Sequence, residues 1–131
     1  MPETSKKMRL TGYTLSGLVI LFLLMDATMK LLRLPIVAET GLELGWPPET
    51  GFPLGLLLLA CTLLYIWPRT AILGAVLLTG YLGGAVAAHV RIGNPWFSHA
   101  FFGVYLGLFI WGGLWLRDAS VRALFPYAKE V

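Results

Sequence analysis

Residues 50–90 read TGFPLGLLLLACTLLYIWPRTAILGAVLLTGYLGGAVAAHV, and Arg69 is the one charged residue among them. Pro68-Arg69 divides the stretch into charge-free runs of 19 and 21 residues, 50–68 and 70–90. A bilayer core of about 30 Å is crossed by roughly 20 helical residues. Neither run alternates apolar and polar positions, so neither is a strand of a membrane barrel. In lipid each segment must satisfy its own backbone hydrogen bonds, which makes each run a helix. A connection this short forces the two helices to run antiparallel.

Two more runs flank this pair. Residues 10–25 are free of charge, stop at Asp26 and resume over 27–29, and residues 92–116 form the longest run. The sequence therefore predicts an all-α fold, an integral membrane antiparallel four-helix bundle. Its spans are about 11–34, 52–67, 70–90 and 97–116, within a single membrane domain, 1–131. Pro35 is expected to end the first helix, and Pro47, Pro48 and Gly93-Asn94-Pro95 mark the connections.

The rest of the chain agrees. Of its 131 residues 57% are hydrophobic and 13% charged, whereas soluble domains carry about 25% charge. Mean hydropathy is +0.75. A soluble fold of this size would expose far more apolar surface than monomers tolerate. Composition thus excludes a soluble enzyme, a nucleic-acid binder and a disordered chain; the lipid bilayer is the first partner. The lone Cys61 excludes an intrachain disulfide and a cysteine zinc site, so no metal is expected.

The basic residues set an orientation. Lys6, Lys7, Arg9, Arg69, Arg117, Arg122 and Lys129 fall on one side, and Lys30, Arg33 and Arg91 on the other. The positive-inside rule places both termini in the cytoplasm, as expected for a bacterial inner-membrane protein. The N-terminal run continues into Asp26 and Lys30 without a small-residue cleavage site, so it reads as an uncleaved span and not a signal peptide. Trp67, Trp111 and Trp115 mark the inner interface, and Trp46 and Trp96 the outer one. Gly80, Gly83 and Gly84 make the third span the richest in small residues, and it is expected to pack most tightly. A homodimer through such a face is a further possibility.

Polar groups are expected to gather at the outer end, with the inner half nearly bare. Asp26, Lys30 and Arg33 follow spacings of four and three on one helix face. Asp26 lies about 22 Å along its helix, inside hydrocarbon, where a carboxylate must be paired or neutral. His89 and Arg91 end the third span, and Ser98 and His99 open the fourth. The long connection 35–50 brings Glu39 and Glu43 over the opening. Asp26, Lys30, His89 and His99 are the candidates for acid–base work, because histidine titrates near neutrality. Arg91, Glu39, Asn94 and Tyr81 are the candidates for ligand binding. No dinucleotide fold, phosphate loop, serine-hydrolase elbow or zinc-protease motif is present.

Three stretches resemble one family. Asp26-Ala-Thr-Met-Lys30-Leu-Leu, Ala88-His89-Val-Arg91-Ile-Gly93-Asn-Pro95 and the Pro68-Arg69 turn are similar to segments of the DoxX-like membrane proteins, over roughly residues 10–125. The resemblance implies a four-helix membrane bundle. It links the chain to thiosulfate–quinone oxidoreduction, to membrane redox complexes under oxidative stress and to assembly-factor roles. The single cysteine departs from the thiol-active relatives. Three functions stand at this stage. The first is an accessory or ligand-binding subunit of a membrane redox system, holding a quinone or another lipophilic molecule. The second is a cofactor-free hydrolase or isomerase for a small lipophilic substrate, and the third is a structural or assembly partner of another membrane protein.

Overall fold

The computed structural model describes residues 4–128; Lys129, counted above among the basic residues, lies outside them. Four helices form a ring: α1 (Lys6–Leu31), α3 (Gly51–Ile66), α4 (Ala71–Arg91) and α5 (Phe102–Arg117). Each packs against its chain neighbour, and α5 closes the ring on α1. Short helices α2 (Pro35–Glu43) and α6 (Ala119–Leu124) cover opposite ends. Three helical segments, Lys6–Leu31, Ala71–Arg91 and Trp96–Arg117, are long and apolar enough to cross a membrane; α3 is apolar but shorter, at 16 residues.

Local chemistry sets the boundaries. Ser5 caps α1, its Oγ accepting from Met8 N at 3.1 Å, so the helix starts before the apolar run does. At its far end α1 stops at Leu31, short of Pro35. Pro35 instead opens α2, at a position where its missing N–H costs nothing. The connection read as a loop therefore contains a nine-residue helix. After Gly93-Asn94-Pro95 the chain makes a wide π turn, Trp96–Ala100, before α5 begins.

Three helices end at the α2 end of the ring by the same device. In each, the residue after the cap donates to the carbonyl three positions back, and the next residue donates to the carbonyl five positions back. The pairs are Arg33 N to Lys30 O with Leu34 N to Met29 O, Gly45 N to Leu42 O with Trp46 N to Gly41 O, and Gly93 N to Val90 O with Asn94 N to His89 O. The motif needs a left-handed residue, and Gly45 (φ 86°) and Gly93 (φ 77°) supply it. In α1 the same position is Arg33, at φ 55°, a conformation that costs a side-chain-bearing residue about 1 kcal/mol.

The core repeats at helical spacing: Val19, Leu23 and Ala27 from α1, Leu58, Cys61 and Tyr65 from α3, Ala71, Ala75, Leu78 and Leu82 from α4, and Ile110 and Leu114 from α5. Close approach occurs at glycines other than the expected ones. A Cβ on Gly74 would meet Tyr65 Cα at 2.6 Å, and one on Gly12 would meet Gly113 O at 2.7 Å. Around Gly80, Gly83 and Gly84 nothing lies within 4 Å. The small-residue face of α4 points away from the ring, so the tightest seams are α1 on α5 and α3 on α4.

The half of the ring at the N-terminal end of α1, expected from the sequence to be nearly bare of polar groups, is not. Tyr65 is fully buried, and its hydroxyl donates to Ile110 O at 2.7 Å. Ser16 Oγ lies 2.8 Å from that hydroxyl, and Arg117 Nε donates to Ser16 Oγ at 3.4 Å. Since the Tyr65 proton is committed to Ile110, Ser16 donates to Tyr65. One hydrogen-bonded line thus joins α5, α1 and α3. Nearby, Arg122 is buried and donates from Nη1 to Trp115 O and Leu116 O, and from Nη2 to Thr4 Oγ1.

Candidate functional site

The α2 end gathers the expected residues into two groups. In the first, Lys30 Nζ donates to both Asp26 oxygens at 2.7 Å. This is the one ion pair among the described residues. The spacing of four on α1 brings the groups together, and partial burial makes each depend on the other. Tyr81 of α4 is half-buried and within electrostatic reach of Asp26.

The second group sits where α4 meets the π turn. The His89 and His99 rings lie 5.9 Å apart, centroid to centroid, at 64°. Asn94 Nδ2 is 2.7 Å from His89 Nδ1, and Ser98 Oγ is 2.8 Å from His99 Nδ1. With the amide donating, the His89 proton sits on Nε2. Among the described residues, no hydrogen bond or ion pair joins this group to Asp26 and Lys30. The outer residues expected from the sequence are thus not joined in one hydrogen-bonded network. No three of His, Cys, Asp and Glu converge among the described residues.

Arg91 has a structural task. Its Nη2 donates to Leu44 O, tying the end of α2 to the end of α4. Gly45 makes room for it, since a Cβ there would stand 2.6 Å from Nη2. Glu39 and Glu43 are exposed on α2 and point to no partner among the described residues.

A groove of about 400 Å³ opens between the end of α1, α2 and the start of α3. Lys30, Arg33 and Glu49 supply its charges, and Leu34, Val37, Ala38 and Phe52 its apolar wall. This volume lies within the range of about 300–1,000 Å³ typical of small-molecule sites. The Arg33 guanidinium lies over the Phe52 ring, 4.7 Å from its centroid. The profile of the DoxX-like family matches residues 14–113. The chain belongs to the DoxX-like family. No curated protein and no solved structure matches it. The match runs from the first third of α1 into the last turn of α5, so every wall of the groove belongs to the family unit. Family membership and the three long apolar helices make this DoxX-like chain an integral membrane protein.

Of the site residues read from the sequence, only Lys30 lines the groove. The spacing of four and three that reads Arg33 onto the Asp26–Lys30 face is the available signal for it, although the structure places Arg33 just beyond the end of α1. Glu49 and Phe52 flank Gly51, where Val37 of α2 comes close; a Cβ on Gly51 would meet Val37 Cγ1 at 3.0 Å. No spacing in the sequence reports that contact.

Proposed function

We propose that this DoxX-like protein is a binding subunit of a membrane redox system that holds a quinone or another lipophilic molecule by its polar end in the α2 groove. The observation that carries this reading is the lining of that groove, which combines Lys30, Arg33 and Glu49 with the apolar Leu34, Val37, Ala38 and Phe52. Lys30 and Arg33 are suited to carbonyl or phosphoryl oxygens, and Leu34, Val37 and Phe52 to a hydrocarbon chain. A quinone bound there would supply two-electron redox chemistry; the chain's own residues orient its head and shield it from water. The redox association itself rests on the family resemblance.

The test is retention. Native mass spectrometry of the detergent-purified protein should show a bound lipophilic molecule. Val37→Trp, which fills the groove from the peripheral helix α2, should remove it without lowering the melting temperature. Retention unchanged by Val37→Trp would defeat the reading.

We further propose four spans with both termini on the cytoplasmic side of a bacterial inner membrane. Preceded by the Pro48–Thr50 turn, α3 completes the antiparallel ring. The basic excess at the end carrying Lys6, Lys7, Arg9, Arg69 and Arg117 supports the orientation. A cytoplasm-dependent fluorescent reporter fused at the C-terminus should be active, and a periplasm-dependent phosphatase fused there silent. The reverse pattern would invert the topology.

A further inference from the structure

The groove carries charges of both signs that do not neutralise one another. Arg33 and Glu49 line the same 400 Å³ space. Both are exposed, yet the only ion pair among the described residues is Lys30–Asp26. Opposite charges facing one small space would ordinarily close on each other when nothing lies between them, because each gains by pairing. Here they are not paired. Arg33 is fixed by the left-handed end of α1 and by its seat on Phe52. Glu49 lies in the short turn Pro48–Thr50 that leads into α3.

Arg33 is the informative residue. Of the three helices that end here by the same motif, two place glycine at the left-handed position and α1 places arginine. Strain kept at a position where glycine would relieve it is a signature of a side chain that is used. The guanidinium it delivers is a planar, permanently charged donor suited to phosphate oxygens. Lys30 lines the same space, and its ammonium, which gives two hydrogen bonds to Asp26, has a third to give. Glu49 offers an acceptor for a cation on the ligand itself.

From this charge layout we infer that the groove takes a zwitterionic amphiphile, a phospholipid whose phosphate meets Arg33 and Lys30 and whose primary ammonium meets Glu49. This rests on the groove being the lipophile site, and narrows its ligand to the phosphoethanolamine class. The hydrocarbon chains follow Leu34, Val37 and Phe52 onto the outer surface of the ring. The groove lies at the ends of α1 and α3, the level at which headgroups stand in a bilayer.

The test exchanges purified protein into mixed micelles holding phosphatidylethanolamine and phosphatidylglycerol of identical acyl chains, and reads the bound lipid by native mass spectrometry. Wild type should favour the ethanolamine lipid about fivefold, the worth of one partly screened ion pair. Glu49→Gln should erase that preference while the glycerol lipid is retained as before. Arg33→Gly should weaken both lipids while raising the melting temperature, because glycine relieves the left-handed strain; loss of binding then cannot be a loss of fold. Soluble phosphoethanolamine at equal concentration should leave the lipid in place. If it displaces the lipid, the site takes a free headgroup compound and the lipid assignment is overturned. If Val37→Trp removes both lipids but wild type and Glu49→Gln show no headgroup preference, the groove reading survives and the zwitterion inference falls. If Val37→Trp changes nothing, both fall. A quinone retained in preference to either lipid, independently of Glu49, also overturns the inference.

Discussion

Gly74→Val is expected to destabilise the protein by about 3 kcal/mol, the upper end of the cost of overfilling a packed core. The atoms a side chain would strike are Tyr65 N, Tyr65 Cα and Leu64 C, all of them backbone. No rotamer change clears them, so α3 and α4 must separate along their tightest seam. Tyr65 would shift with them, and with it the hydroxyl that reaches Ile110 O. The comparison is Gly80→Ala on the same helix, six residues further along, where a Cβ meets nothing within 4 Å. That change should be neutral or stabilising by about 0.5 kcal/mol, because glycine is a poor helix former. Thermal denaturation followed by size-exclusion in detergent separates the two. Equal losses for both variants would mean that α4 packs through its other face.

Lys30→Met is expected to cost about 3 kcal/mol, and Asp26→Asn combined with Lys30→Met much less. The lysine donates to both carboxylate oxygens, and the pair stands largely out of water, Lys30 at 18% and Asp26 at 33% side-chain exposure. Removing the cation alone leaves a carboxylate without compensation in a poorly solvated place. Removing both charges leaves nothing to compensate. A double-mutant cycle on melting temperature and detergent resistance measures the coupling. If the single and double variants lose the same stability, the ion pair contributes nothing to the bundle.

Much of the frame was legible because it depends on one-dimensional quantities. Run length fixed the long helices, and the spacing of Asp26 and Lys30 fixed their pairing. Gly93 sat in the break after the third span, where the end of α4 needs a left-handed residue. The rest depended on contacts between distant segments. Ser16 and Tyr65 are separated by 49 positions and have no spacing relation, so a buried polar line looked like two isolated polar residues. Arg33 adopts a conformation that sequence reading assigns to glycine. The nine residues of α2 are too short and too mixed for a periodicity to declare them. The glycines of α4 were legible as small but not as outward-facing, since composition does not say which face a neighbour takes.

The buried line from Arg117 through Ser16 and Tyr65 to Ile110 has a further consequence. Hydroxyls in series are the usual material of a proton wire. This one begins at a guanidinium, which does not release a proton in proteins. It ends at the Ile110 amide carbonyl, which accepts a hydrogen bond but does not pass a proton on. Both termini are inert, and every hydroxyl proton between them is already committed in one direction. The line therefore conducts nothing. It acts as a clasp that fixes the rotation of three helices about their own axes, so that Lys30, further along α1, and Arg33, just beyond its end, arrive at the groove on a predetermined side.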